Sequence, residues 1–375
     1  MKIALVHDYL REYGGAERVL EVLHEMWPDA PVYTSFYDWQ AMGKHAERFR
    51  GWDIRPSWVQ KYWLIKKWIS PLRFLAPKIW ESFDLSEYDV VITSSGWFMC
   101  RGVKVIKPAV HICYIHHPPR NLYGYPTGST YQKYAIVRLY ASIINFFLRH
   151  YDYETAQRVD YFVANSKETA RRVEKFYRRE STVIYPPVEI ERRIQNSMTK
   201  KKKLYYLSVG RLAWSKQIDI IIKAANQLKI PLKIVGTGPE EKMLKELTGP
   251  TVEFLGGVSD EQLTALYRGA KATIFAALDE DFGIVPVESM AAGTPVIGLN
   301  QGGVKETVVD GKTGVLFNDP TVDCLISAIK KFDRTYRSDK TNKTYMACVN
   351  QAEKFSKERF VKEIRSFVEE KMKSV

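Results

Sequence analysis

The sequence predicts an α/β protein of two doubly wound domains, each a parallel sheet wrapped by crossover helices. Short β-branched runs alternate with helical patterns nearly throughout the 375 residues, as parallel sheets with helical crossovers require. The alternation breaks once, at Pro186-Pro187 and a polar, basic stretch ending in Lys200-Lys201-Lys202-Lys203, and then restarts. The length suffices for two domains, each burying its own core.

The expected strands of the first half are 2–7, 32–36, 90–94, 110–115, 161–165 and 182–185, with helices at 16–26 and 167–177. Those of the second half are 204–209, 232–235, 252–255, 272–275, 295–297 and 315–317, and the last sixty or so residues read as helices. The domains are placed at 1–188 and 189–355. In sheets of this kind ligands sit outside the carboxyl ends of the strands.

Composition narrows the function. The 45% apolar and 26% charged fractions belong to a folded protein, not a disordered or fibrous one. Residues 139–148 are too short an apolar run to span a bilayer. The chain opens on a strand-like Lys2-Ile3-Ala4-Leu5-Val6 with no secretory pattern, so a cytosolic location is expected. Cys100, Cys113, Cys324 and Cys348 are scattered and suggest neither a disulfide framework nor structural zinc. A net charge of +13 implies an anionic partner: nucleic acid, a membrane surface or a phosphorylated substrate.

The most informative segment runs Leu278-Asp279-Glu280-Asp281-Phe282-Gly283-Ile284-Val285-Pro286-Val287-Glu288, then Ser289-Met290-Ala291-Ala292-Gly293-Thr294-Pro295-Val296-Ile297. Pro286 suits a first helical turn and Gly293 a helix stop. The backbone N–H groups of Phe282, Gly283, Ile284 and Val285 then lie at a helix N-terminus, which favours anions. Glu280 lies before the turn and Glu288 inside the helix, so one can reach a sugar while the other accepts from ribose hydroxyls. A surface helix with two solvated glutamates is the bland alternative, but solvation alone does not call for Phe282-Gly283 at the junction.

This segment resembles the paired-glutamate signature of glycosyltransferase family 4, retaining enzymes of the GT-B fold, and within it the mannosyltransferases that build bacterial surface polysaccharides. The resemblance covers nearly the whole chain and is strongest from about residue 205 to 317. It implies two facing Rossmann-like domains, the second holding a sugar nucleotide and the first an acceptor, with a C-terminal helix (about 356–375) crossing back to the first. Gly210-Arg211-Leu212-Ala213-Trp214-Ser215-Lys216 resembles the family's first turn of the donor domain, where Arg211 and Lys216 would bind the diphosphate; fixed cations there stabilise a departing anion. Gly236 and Val258 lie in turns resembling those that hold the nucleoside, and Gln301-Gly302-Gly303 resembles the glycine-rich turn after the sixth strand. In the first half, the pair Gly14 and Gly15 would let backbone approach the donor phosphates. Cys113-Tyr114-Ile115-His116-His117 resembles a strand end whose histidine, here His116, faces the transferred sugar. The implied reaction moves a hexose, with mannose from GDP-mannose as the first choice and a UDP-hexose as the second, to a saccharide hydroxyl with retention. No cofactor or metal is expected. A sugar-nucleotide epimerase, a phosphorylase and a catalytically silent nucleotide-sugar binding subunit are the alternatives.

Two other motifs fail. Gly311-Lys312-Thr313 suggests a phosphate loop, but Glu306 occupies the required glycine position. Gly236-Thr237-Gly238 suggests a dinucleotide site, but Glu241 occupies its third glycine. The stretch from Arg55 to Trp80 carries six cations, six aromatics and no acid, including Lys61, Trp63, Lys66, Lys67 and Trp68. It reads as an anionic-membrane surface, as a packed helical hairpin, or as a single-strand nucleic-acid site. No nucleic-acid module accompanies it, so nucleic acid is not an expected partner. A lipid-linked acceptor and a peripheral position on the inner face of the cell membrane follow from the first reading.

Overall fold

The computed structural model describes residues 1–125, 134–190, 205–336 and 343–373; the Lys200–Lys203 run lies outside them. The chain divides into two units, one of residues up to Pro187 together with those from Glu358 onward, the other Val188–Lys357.

The first unit holds a seven-stranded sheet: β1 (Ile3–His7), β2 (Val32–Thr34), β3 (Ile54–Pro56), β4 (Val90–Ser95), β5 (Val110–Ile115), β6 (Tyr161–Ala164) and β7 (Thr182–Val183), in the order β3-β2-β1-β4-β5-β6-β7. Every pairing is parallel. The central strands β1, β4 and β5 are buried at every residue, as a sheet covered on both faces dictates. The edge strand β3, Ile-Arg-Pro, was not expected. It has no apolar alternation of its own and pairs only because β2 presents an open edge, where a proline is tolerated.

The second unit repeats the plan with β8 (Tyr205–Val209), β9 (Leu232–Val235), β10 (Val252–Gly256), β11 (Ala270–Phe275), β12 (Val296–Leu299) and β13 (Gly314–Phe317). Their order is β10-β9-β8-β11-β12-β13, again all parallel. Each sheet therefore reverses its strand order once, between β1 and β4 in the first and between β8 and β11 in the second. Those reversals are where doubly wound sheets bind ligands.

The helix Lys357–Met372 returns to the first unit. Phe360, Ile364, Phe367 and Val368 form one apolar stripe at helical spacing and join the core around β1, β4 and β5. Phe360 packs edge-on against Tyr114 and Phe367 against Tyr161.

One charge pair is wholly buried. The Arg101 guanidinium, after β4, meets the Asp152 carboxylate in the helix Ala135–Arg158, and neither side chain is exposed. Arg101 also donates to the Tyr177 hydroxyl (2.9 Å), and the Tyr123 hydroxyl donates to Asp152 (2.7 Å). Cys113 is equally enclosed, its thiol pushed up to about 12 by burial, and His111, in β5, is held down to about 3 by burial and so stays neutral. Both belong to the core, and all four cysteines are free.

The Arg55–Trp80 stretch corrects an expectation. It folds as short helical turns rather than a hairpin. Trp80 is fully buried and its indole donates to the Phe98 carbonyl, while Arg73 is buried against Asn145. Arg55 is held by Asp53, an acid just outside the stretch. Composition does not tell which aromatics turn inward. Leu148 is likewise buried, although Phe146 and Phe147 beside it are exposed.

Candidate active site

In the second unit the loops leaving β8 and β11 meet at the strand-order reversal. After β8 come Gly210 and Arg211, then a tight turn Trp214–Lys216 and the helix Ile218–Leu228. After β11 come Asp279 and Glu280, then the helix Ile284–Ala291. The two loops are tied by the Leu278 N–H donating to the Ser215 carbonyl (2.8 Å). Lys216 and Glu280, which the sequence assigned to separate tasks, form an ion pair at 2.7 Å, both side chains about a quarter exposed or less. The Lys216 ammonium also lies 5.7 Å from the Phe275 ring centroid. Arg211 is exposed on the same loop.

The backbone under Glu280 is fixed by the glycine-rich turn after β12. The Gly303 N–H donates to the Glu280 carbonyl (2.8 Å). A Cβ on Gly302 would fall 2.0 Å from that carbonyl oxygen, and one on Gly303 2.5 Å from the Asp281 carbonyl. No side chain fits there. Gly236 is comparable: its φ is +128° and a Cβ would sit 2.0 Å from the Gly210 carbonyl, so the turns after β8 and β9 lie backbone on backbone.

The helix Ile284–Ala291 begins at Gly283, in the left-handed region, and ends before Gly293, also left-handed. Its first N–H groups, from Ile284 and Val285, have no intrahelical acceptor by construction. The Phe282 side chain is buried against Phe355, so only its backbone can meet a ligand. Glu288 accepts from the Tyr267 hydroxyl (3.0 Å), a partner the sequence did not reveal. Val258 packs beside Val235 and Tyr267.

In the first unit, Gly14 caps the helix Gly15–Met26 and donates its N–H to Glu17 (2.8 Å). A Cβ on Gly15 would meet nothing within 4 Å. Asp8, after β1, accepts three backbone N–H groups, from Gly96, Phe98 and Cys100 (2.9–3.0 Å), and so pins the loop after β4. His116, after β5, is buried with its Nε2 2.8 Å from Ser94 Oγ. His7, Ser94 and Glu17 extend that contact inward. No sequence pattern marks this row, because its members come from three separate strand ends and a helix. Among the described residues, no group of three or more His, Cys, Asp or Glu side chains converges as metal ligands.

Both units match known protein families. Residues 13–192 match the family model described as Glycosyltransferase Family 4, and residues 189–355 match Glycosyl transferases group 1. The alpha-1,3/1,6-mannosyltransferase of Mus musculus is 25% identical over 95% of this chain and 93% of its own. The human counterpart is 26% identical over 95% and 92%. Anabaena HepE, solved with UDP and glucose, superposes with a TM-score of 0.69 at 20% identity, covering 98% of this chain and 99% of its own, a likeness of fold. With matches running from residue 13 to 355 and two parallel sheets reversing at the positions described, the chain belongs to glycosyltransferase family 4, the GT-B hexosyltransferases.

Proposed function

We propose that this transferase moves mannose from GDP-mannose to a hydroxyl of a lipid-linked saccharide, in surface polysaccharide synthesis, with retention and without a metal. The observation that carries the chemical part is the Lys216–Glu280 pair at the reversal of the donor sheet. A nucleoside diphosphate arriving beside Lys216 competes for the ammonium, releasing Glu280 to accept from a sugar hydroxyl. Arg211 adds charge, and Ile284 and Val285 add helix-terminal N–H groups. Glu288, oriented by Tyr267, takes the ribose. The acceptor oxygen then attacks the anomeric carbon on the face the diphosphate leaves. The C–O bond to phosphate breaks, and a phosphate oxygen takes the acceptor's proton. In the first unit, Gly15, with open space around its missing Cβ, and His116 remain the candidates by resemblance.

The mannosyltransferase relatives favour mannose, whereas the UDP and glucose held by HepE favour a UDP-hexose as the second reading. A thermal-shift screen with GDP, UDP and ADP sugars decides between them. A ligand at about 100 times its Kd adds about 2.7 kcal/mol to the unit that binds it. Stabilisation by GDP-mannose, with transfer that survives excess chelator, is expected. Stabilisation by UDP-glucose alone overturns the mannose reading. Conversion of donor without acceptor points to an epimerase.

The membrane part rests on exposed apolar surface. No helix among the described residues is long and apolar enough to cross a bilayer. Yet the helix Ala135–Arg158 exposes Ile136, Leu139, Tyr140, Ile143, Phe146 and Phe147, one stripe at helical spacing facing away from the core. The Tyr140 hydroxyl donates to the Pro71 carbonyl, joining this stripe to the segment that exposes Trp63, Leu64 and Trp68. Lys61 and Lys67 are exposed beside them and Lys66 is half-buried. Each such cation is worth about 1 kcal/mol near an anionic surface. Sedimentation with anionic vesicles, weakened by salt and abolished by Lys61→Glu, Lys66→Glu and Lys67→Glu together, is expected. A wild type that ignores anionic vesicles at low salt would sink this reading.

A further inference from the structure

Four side chains in the first unit form a continuous row at the reversal of its sheet. Glu17 Oε1 lies 3.4 Å from His7 Nε2; His7 Nδ1 lies 3.1 Å from Ser94 Oγ; Ser94 Oγ lies 2.8 Å from His116 Nε2. All four are buried. The row crosses three elements by register, since His7 stands opposite Ser94 across β1 and β4, and His116 follows β5 directly.

We propose that Glu17 and His7 are positioning residues that fix, through Ser94, which nitrogen of His116 carries the proton, and so which nitrogen is basic when substrate binds. This rests on the reading of His116 as a residue that meets the transferred sugar. The direction of every contact follows from the end of the row. As a carboxylate, Glu17 can only accept, and its second oxygen already accepts from the Gly14 N–H (2.8 Å). His7 therefore carries its proton on Nε2. In the neutral ring Nδ1 then accepts, so the Ser94 hydroxyl donates to it. Ser94 Oγ in turn accepts, so His116 carries its proton on Nε2. Its Nδ1 becomes the ring's acceptor, and whatever approaches there must donate, as a sugar hydroxyl does.

The same geometry provides a reversing substitution. In Glu17→Gln the Gly14 N–H still needs an acceptor, which holds the amide oxygen on the Gly14 side and turns the NH2 group toward His7. His7 Nε2 must then accept, Nδ1 donates to Ser94, and Ser94 donates to His116 Nε2. The proton of His116 moves to Nδ1, and the ring offers substrate a donor where it had offered an acceptor. Shape and helix cap are kept while every hydrogen bond in the row is reversed.

The test uses the full chain labelled with ring-15N histidine. There are seven histidines, and His116→Gln identifies the His116 signal. The wild type is expected to show His116 in the Nε2–H form and Glu17→Gln in the Nδ1–H form. A misplaced tautomer behind intact geometry is expected to lower kcat on the order of 10²–10⁴-fold while leaving the donor KM within about threefold. In a Ser94→Ala background, which interrupts the row, Glu17→Gln is expected to have no further effect on the His116 tautomer. An unchanged His116 tautomer in Glu17→Gln overturns the relay. A switched tautomer with kcat within threefold overturns its role in the reaction and removes His116 from the chemistry. The tautomer measurement needs no turnover, so it judges the relay even where the assigned donor or acceptor is wrong.

Discussion

Lys216→Ala is expected to lower turnover by about 10²–10³, the usual cost of losing one preorganised charge stabiliser. Two losses act together. The departing diphosphate forfeits a cation at the point where its charge grows, and Glu280 loses its ion-pair partner at 2.7 Å. The second effect gives the experiment its resolution. If Glu280 serves only to balance the lysine, then adding Glu280→Gln to Lys216→Ala relieves the repulsion and restores part of the rate. If Glu280 holds the sugar, the double variant falls below either single one. Steady-state rates across the cycle separate these outcomes, since residues in direct contact couple measurably. Turnover within threefold of wild type in Lys216→Ala would remove the lysine from the reaction.

Asp152→Ala is expected to cost the first unit about 3–5 kcal/mol, as breaking a wholly buried ion pair does. The carboxylate accepts from Arg101 and Tyr123, and the pair has no exposed surface. Without Asp152 the guanidinium stays in an apolar interior with the Tyr177 and Ser95 hydroxyls as its neutral partners. Replacing both residues, Arg101→Met with Asp152→Leu, should recover most of the loss, since removing the pair together leaves no uncompensated charge. Denaturant unfolding checks this through probes in each unit. The transition of the first unit should move, and that of the second should not. A shift below about 1 kcal/mol would mean that relaxation or water already screens the pair.

The architecture was legible because parallel strands write their burial into the sequence. Val110–Ile115 is apolar enough to read at both ends, and the helix Lys167–Tyr177 carries the serine cap that marks its start. What escaped was decided by neighbours. Ile54–Pro56 is a strand only through β2, and Trp80 is core only because Phe98 lies where it turns. In the second unit, Lys216, Glu280 and Glu288 could be picked out, but not that Lys216 and Glu280 pair, nor that Tyr267 holds Glu288. Those relations need the topology that brings β8 beside β11. The row from Glu17 to His116 was invisible for the same reason, although His116 and Glu17 both stand in segments the sequence singled out.

The returning helix Lys357–Met372 has a consequence for how the protein is made. Phe360, Ile364, Phe367 and Val368 finish a core whose other walls, around Tyr114 and Tyr161, leave the ribosome first. Residues 188–357 must be synthesised in between, which takes roughly ten to thirty seconds at about 5–20 residues per second. Throughout that interval the nascent chain carries an apolar face with no cover, and a chain released early never acquires one. Premature termination within the second unit therefore damages the first, and such fragments are expected to depend on chaperones or be degraded.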